Sequence, residues 1–109
     1  MAVEQVFADN GLFDLPRPWI LSEDSAHSYD ACLIVLQFAA CHLRAGEYLI
    51  MEDGVLAELG LADRFDGGPR RALETFLTDQ PGAFEIDTTY CDMFGQNATT
   101  NPNGYLRKL

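Results

Sequence analysis

Trp19-Ile20-Leu21-Ser22-Glu23-Asp24-Ser25-Ala26-His27 and Tyr48-Leu49-Ile50-Met51-Glu52-Asp53-Gly54 are two short apolar runs, each closed by carboxylates. A run of this kind reads as a buried parallel strand whose C-terminal end carries chemistry. Two such strands side by side, about 4.8 Å apart, would gather Asp24, His27, Glu52 and Asp53 at one sheet edge. In open α/β sheets that edge is where ligands bind. Carboxylates with an imidazole beside them suit a divalent cation with a base next to it.

The segment between the two runs supports this reading. Ser25 or Ser28 is placed to cap a helix, with Asp30 in its first turn. The helix is expected from about Tyr29 to Leu43, with Gly46 ending it in the left-handed conformation. Its interior from Ala31 to Ala40 is apolar nearly all round, so it should be sandwiched or packed on another subunit. A strand–helix–strand unit of this length is a right-handed crossover between parallel strands. After a loop with one short helical turn, Gly67-Gly68-Pro69 opens a second helix with Ala72, Leu73, Phe76 and Leu77 on one face. Phe84-Glu85-Ile86-Asp87 alternates like a strand, Asn101-Pro102-Asn103-Gly104 marks a turn, and Tyr105 to Leu109 closes the chain as a last strand. The expected class is α/β: a βαβ unit, a helix and a terminal β-hairpin, the C-terminal half of a doubly wound sheet. Residues 1–18 read as an irregular lead-in and 19–109 as the partial α/β domain.

At 109 residues the chain is one domain at most. Its net charge of −10 argues against nucleic acid or an anionic membrane as partner. No apolar stretch approaches the roughly 20 residues of a membrane span, and no basic n-region with an apolar core precedes Asp14. Cys32, Cys41 and Cys91 show no metal-type spacing, and the odd count suggests a reducing, cytoplasmic setting. Cys32 and Cys41 read as inert core thiols. Cys41 and His42 are neighbours on a helix, so they do not face each other as a nucleophile and base. No Gly-x-Ser-x-Gly elbow and no Walker loop occurs.

The acidic constellation has plainer readings beside the metal one. Asp24 suits a helix cap and His27 an exposed polar residue. Glu52 and Asp53 suit a solvated strand end, and alternation along a strand turns only one of the pair to a given side. If they do bind a cation, hard oxygen ligands favour Mg²⁺ or Mn²⁺ over structural zinc.

Residues 18–29, 46–53, 84–87 and 101–108, in that order and spacing, resemble the cephalosporin hydroxylase / rhamnosyl O-methyltransferase family. That family has the class I S-adenosylmethionine-dependent methyltransferase fold and is related to the macrolide sugar O-methyltransferases. The resemblance implies a small-molecule hydroxyl acceptor, a sugar or natural product. It implies Asp24, Glu52 and Asp53 as ligands of Mg²⁺ or Mn²⁺. It implies His27 as the base that takes the acceptor's proton. S-adenosylmethionine is implied as cofactor, yet the glycine-rich turn that would receive it is missing, because no Gly-x-Gly occurs in the chain. The cofactor half is therefore expected outside this chain, which alone should be inactive. An apolar edge strand left without its inner neighbour should pair with a second copy or with a separate cofactor-binding half. The alternative is a non-enzymatic remnant or interaction subunit. An acidic phosphoacceptor domain fits poorly, because Lys108 is the only lysine.

Overall fold

The first apolar run becomes β1 and the second β2, adjacent and parallel as expected. The computed structural model describes residues 3–24, 28–54, 59–95, 99, 101 and 103–109. In chain order its elements are α1 (Val3–Asp9), β1 (Ile20–Glu23), α2 (Tyr29–His42), β2 (Tyr48–Met51), α3 (Gly68–Asp79), β3 (Phe84–Ile86), α4 (Thr88–Cys91) and β4 (Tyr105–Lys108). Short 3-10 turns lie at Leu12–Asp14 and Ala62–Phe65. The β1–β2 register runs from Ile20 opposite Tyr48 to Glu23 opposite Met51.

The four-stranded sheet has the order β1-β2-β4-β3, so β4 enters between β2 and β3 and is antiparallel to both. This is the mixed α/β fold read from the sequence, with one refinement. β3 and β4 pair as a hairpin would, but α4 stands in the connection between them. Asp87 starts α4, its Oδ1 accepting from the Thr89 N–H at 3.0 Å.

Alternation gives the sheet a covered and an open face. Trp19, Leu49, Met51, Phe84 and Leu106 are buried in one core with Cys32, Leu36 and Ala39 of α2 and Ala72, Leu73 and Phe76 of α3. Ile20, Tyr48, Ile50 and Tyr105 turn to the open face, where Tyr48 meets the Tyr90 ring edge-on at 5.9 Å. Ser28 is the cap of α2, its Oγ accepting from the Ala31 N–H at 3.2 Å. Gly67 precedes α3 with φ 90°, and Pro69 sits in its first turn, where a missing N–H costs nothing.

Residues 1–18 are more ordered than their weak pattern suggests, since they contain α1 and a 3-10 turn. α1 is too short to persist alone. Its Phe7 ring holds it, 4.6 Å from Phe38 and 6.1 Å from Trp19. α2 is thus sandwiched between the sheet, α3 and the lead-in. Cys41 is not the core thiol expected of it: it is exposed, whereas Cys32 and Cys91 are buried. A helix apolar on every side gives no phase from which to choose its inner face.

A buried ion pair clamps the lead-in to the sheet. Glu47, 4% exposed, accepts from Arg17 Nη1 at 2.5 Å, the Trp19 N–H at 2.6 Å and the Arg44 N–H at 2.6 Å. Burial alone would raise this carboxyl. The Arg44 and Trp19 amides and the Arg17 guanidinium outweigh it and hold Glu47 below the usual carboxylate range. Arg17 also stacks 3.5 Å over the Trp19 ring. Among the described residues no helix is long and apolar enough to cross a membrane.

Candidate functional site

The parallel pairing of β1 and β2 brings their C-terminal ends together, and with them the predicted carboxylates. The Glu52 N–H donates to the Glu23 carbonyl at 3.1 Å, extending the ladder by one residue. Glu52 follows the open face, and its Oε2 accepts from Ser22 Oγ at 2.8 Å. Asp24 is exposed between β1 and α2. It does not cap the helix, because Ser28 does.

Asp53 is placed by a different device. It takes φ 60°, a left-handed conformation that aspartate tolerates better than most residues. Its N–H donates to Asn101 Oδ1 at 3.0 Å. Asn101 is buried and its Nδ2 donates to the Tyr105 hydroxyl at 3.3 Å. The Met51 N–H donates to the Gly104 carbonyl at 2.8 Å, and the Gly104 N–H to the Asn101 carbonyl at 2.9 Å. A Cβ on Gly104 would run into the Met51 carbonyl oxygen, so the close approach requires glycine. The turn read from Asn101 to Gly104 is therefore the strut under Asp53. In the sequence Asn101 reads only as a turn residue; its role as a buried amide under Asp53 is visible only once the strands are paired.

Glu23 is a further carboxylate at the end of β1, which its sequence position does not distinguish from Asp24. It is buried on the covered face, with the Cys32 thiol 4.0 Å from its Oε1. Burial, reinforced by the Glu23 charge, pushes the Cys32 thiol up to about 12. Cys32 is an inert core thiol, as expected.

His27 lies outside the described residues. Among the described residues no group of three or more His, Cys, Asp and Glu side chains is gathered so as to hold a metal ion. Asp24, Glu52 and Asp53 share the sheet edge and have the hard-oxygen chemistry of a Mg²⁺ site, but their side chains do not form one ligand cluster.

A mixed four-stranded sheet with carboxylates on adjacent parallel strand ends is compatible with part of a methyltransferase-like fold. The rhamnosyl O-methyltransferase/CmcI family model matches residues 5–109, and the chain belongs to that family. It is 35% identical over 83 residues to the rhamnosyl O-methyltransferase of Mycobacterium leprae (strain TN), covering 76% of this chain and 35% of that protein. It is 31% identical over 83 residues to the rhamnosyl O-methyltransferases of Mycobacterium bovis (strain BCG / Pasteur 1173P2) and Mycobacterium tuberculosis (strain ATCC 25618 / H37Rv), covering 76% of this chain and 33% of each. The chain thus spans about a third of the length of these relatives. No solved structure gives a significant match.

Proposed function

We propose that this chain is the acceptor-side part of an S-adenosylmethionine-dependent O-methyltransferase acting on a sugar hydroxyl, of which a rhamnosyl hydroxyl is the first candidate. The observation that carries the reading is the family match over nearly the whole chain. The adjacent strand ends, with Asp24, Glu52 and Asp53 on them, support it.

Asp24, Glu52 and Asp53 are the proposed ligands of Mg²⁺ or Mn²⁺. Their side chains would have to turn toward the ion as it binds. When bound, such an ion supplies a positive charge that lowers the pKa of a coordinated hydroxyl. His27 is the proposed base for the acceptor proton, a task suited to an imidazole near neutral pH. Asn101 and Gly104 hold the Asp53 backbone in place, and Ser22 orients Glu52. The cofactor-binding part is proposed to come from residues outside these 109, since no Gly-x-Gly turn is available here.

Calorimetric titration with S-adenosylmethionine and with Mg²⁺, separately, tests the division of labour. The reading expects weak heat of binding for Mg²⁺ and none that saturates for S-adenosylmethionine. Saturable binding of S-adenosylmethionine to the purified chain would overturn the assignment of the cofactor site elsewhere.

A further inference from the structure

Tyr105 is held from several directions at once. It stands opposite Ile50 of β2. Its carbonyl accepts from the Asp87 N–H at 2.7 Å, just past the end of β3. Its ring lies 6.0 Å from that of Tyr90 on α4. Asp53 is placed differently. It lies two residues beyond β2, with φ 60°. A residue with a side chain keeps such a conformation only where its surroundings impose it.

Asn101 connects the two. Its main chain is tied at both ends. The N–H donates to Thr99 Oγ1 at 3.2 Å, and the carbonyl accepts from the Gly104 N–H at 2.9 Å. Between them Asn103 takes φ 54°, a positive value that asparagine tolerates in a turn. The freedom that remains lies in the Asn101 side-chain amide, whose two ends are alike in shape and opposite in chemistry. The Asp53 N–H can only donate, so Oδ1 must face it, at 3.0 Å. Nδ2 then points the other way and needs an acceptor, since Asn101 is 8% exposed. The Tyr105 hydroxyl accepts from it at 3.3 Å.

We propose that Tyr105 is a positioning residue for the carboxylate edge: its hydroxyl holds the Asn101 amide, and that amide holds Asp53 in the left-handed conformation. The consequence for chemistry rests on the reading of Asp53 as a cation ligand. Without the hydroxyl, a buried amide group loses an acceptor, and rotation of the Asn101 side chain toward water becomes favourable. The Asp53 N–H is then released. Asp53 relaxes to negative φ, and its carboxylate is re-aimed relative to Glu52 and Asp24. A residue fixed in a central strand thus sets the direction of one that the sheet itself does not reach.

Hydrogen exchange of backbone amides, followed by NMR on the whole chain without metal, is the first test. The Asp53 amide should be protected in the parent. Tyr105→Phe keeps the ring and should speed exchange at Asp53 about tenfold, while the Lys108 amide, which donates to the Glu47 carbonyl at 2.8 Å further along β4, keeps its rate. Asn101→Ala should act likewise, and adding Tyr105→Phe to it should change nothing more, because both remove one chain of hydrogen bonds. A role in packing alone would give no such coupling. Circular dichroism checks that each variant is folded, and Asn101→Ser takes the place of Asn101→Ala if the latter unfolds. Mn²⁺ affinity is the second readout, with the dissociation constant expected to rise about tenfold in Tyr105→Phe as the strained conformation is released. Free exchange at Asp53 in the parent, unchanged exchange in Tyr105→Phe, additive effects in the double variant, or equal Mn²⁺ affinity of parent and Tyr105→Phe each overturn the proposal. Exchange is read without metal, so a parent that binds no Mn²⁺ fails the cation reading alone, and exchange at Asp53 still decides the role of Tyr105.

Discussion

Replacing Glu47 by alanine should cost about 3 kcal/mol of folding stability. Glu47 is 4% exposed and is the acceptor for the Trp19 amide, the Arg44 amide and the Arg17 guanidinium. Trp19 is buried, so its orphaned N–H loses roughly 1–3 kcal/mol of hydrogen bonding with no water to replace it. Arg17 is 23% exposed and rehydrates in part, which keeps its share to about 1 kcal/mol. Arg44 is exposed, and its amide recovers a water partner. The sum lies at the low end of the roughly 3–5 kcal/mol typical of breaking a buried ion pair. Against a total of about 5–15 kcal/mol for a domain, the loss is large. Urea unfolding followed by the fluorescence of Trp19, the only tryptophan, reads it directly. Glu47→Gln keeps one acceptor oxygen and should cost about half as much. The pH dependence is a second check. The folded carboxyl titrates below its unfolded value of about 4.3, so its contribution is full above that pH and is lost as pH falls through the folded pKa. The gap between the parent and Glu47→Gln should therefore narrow below about pH 4. A change under about 0.5 kcal/mol in Glu47→Ala at pH 7 would refute the clamp.

Gly104→Ala should drive a methyl group into the Met51 carbonyl and open the turn that carries Asp53, costing about 2–3 kcal/mol and lowering the melting temperature by roughly 10 °C; an unchanged melting curve would show that the turn is loose. In thiol titration of the native protein at pH 8, Cys41 should react first, while Cys32, pushed up to about 12, and the buried Cys91 should wait for unfolding. Fast labelling of Cys32 in the folded state would contradict its burial beside Glu23.

The parts of the fold that were legible are those set by local chemistry. Apolar runs closed by carboxylates gave β1 and β2, Ser25 or Ser28 marked the start of α2 with Ser28 the cap that forms, and Gly67 with Pro69 marked the start of α3. The parts that were not legible depend on distant partners. α1 exists because Phe7 finds Phe38 and Trp19, and nothing within residues 3–9 announces it. The insertion of β4 between β2 and β3 is a non-local choice, in which buried Leu106 stands opposite Leu49 on one side and Ile86 on the other. At the candidate site, strand placement was readable and side-chain direction was not. Period-two alternation sends Glu52 to Ser22 on the open face, while the orientation of Asp53 is set by Asn101, 48 residues away. Adjacency in sequence therefore did not make the two carboxylates one ligand cluster.

The reading of Asp24, Glu52 and Asp53 as a cation site is tested most directly by Mn²⁺ titration of the purified chain, followed by electron paramagnetic resonance of the free ion. The account predicts one weak site, displaced by Mg²⁺, lost in Asp24→Asn and in Glu52→Gln, and retained in Glu85→Gln at the far edge of the sheet. Free Mn²⁺ that rises in step with the total up to millimolar concentration, or binding that survives both carboxylate substitutions, would contradict it.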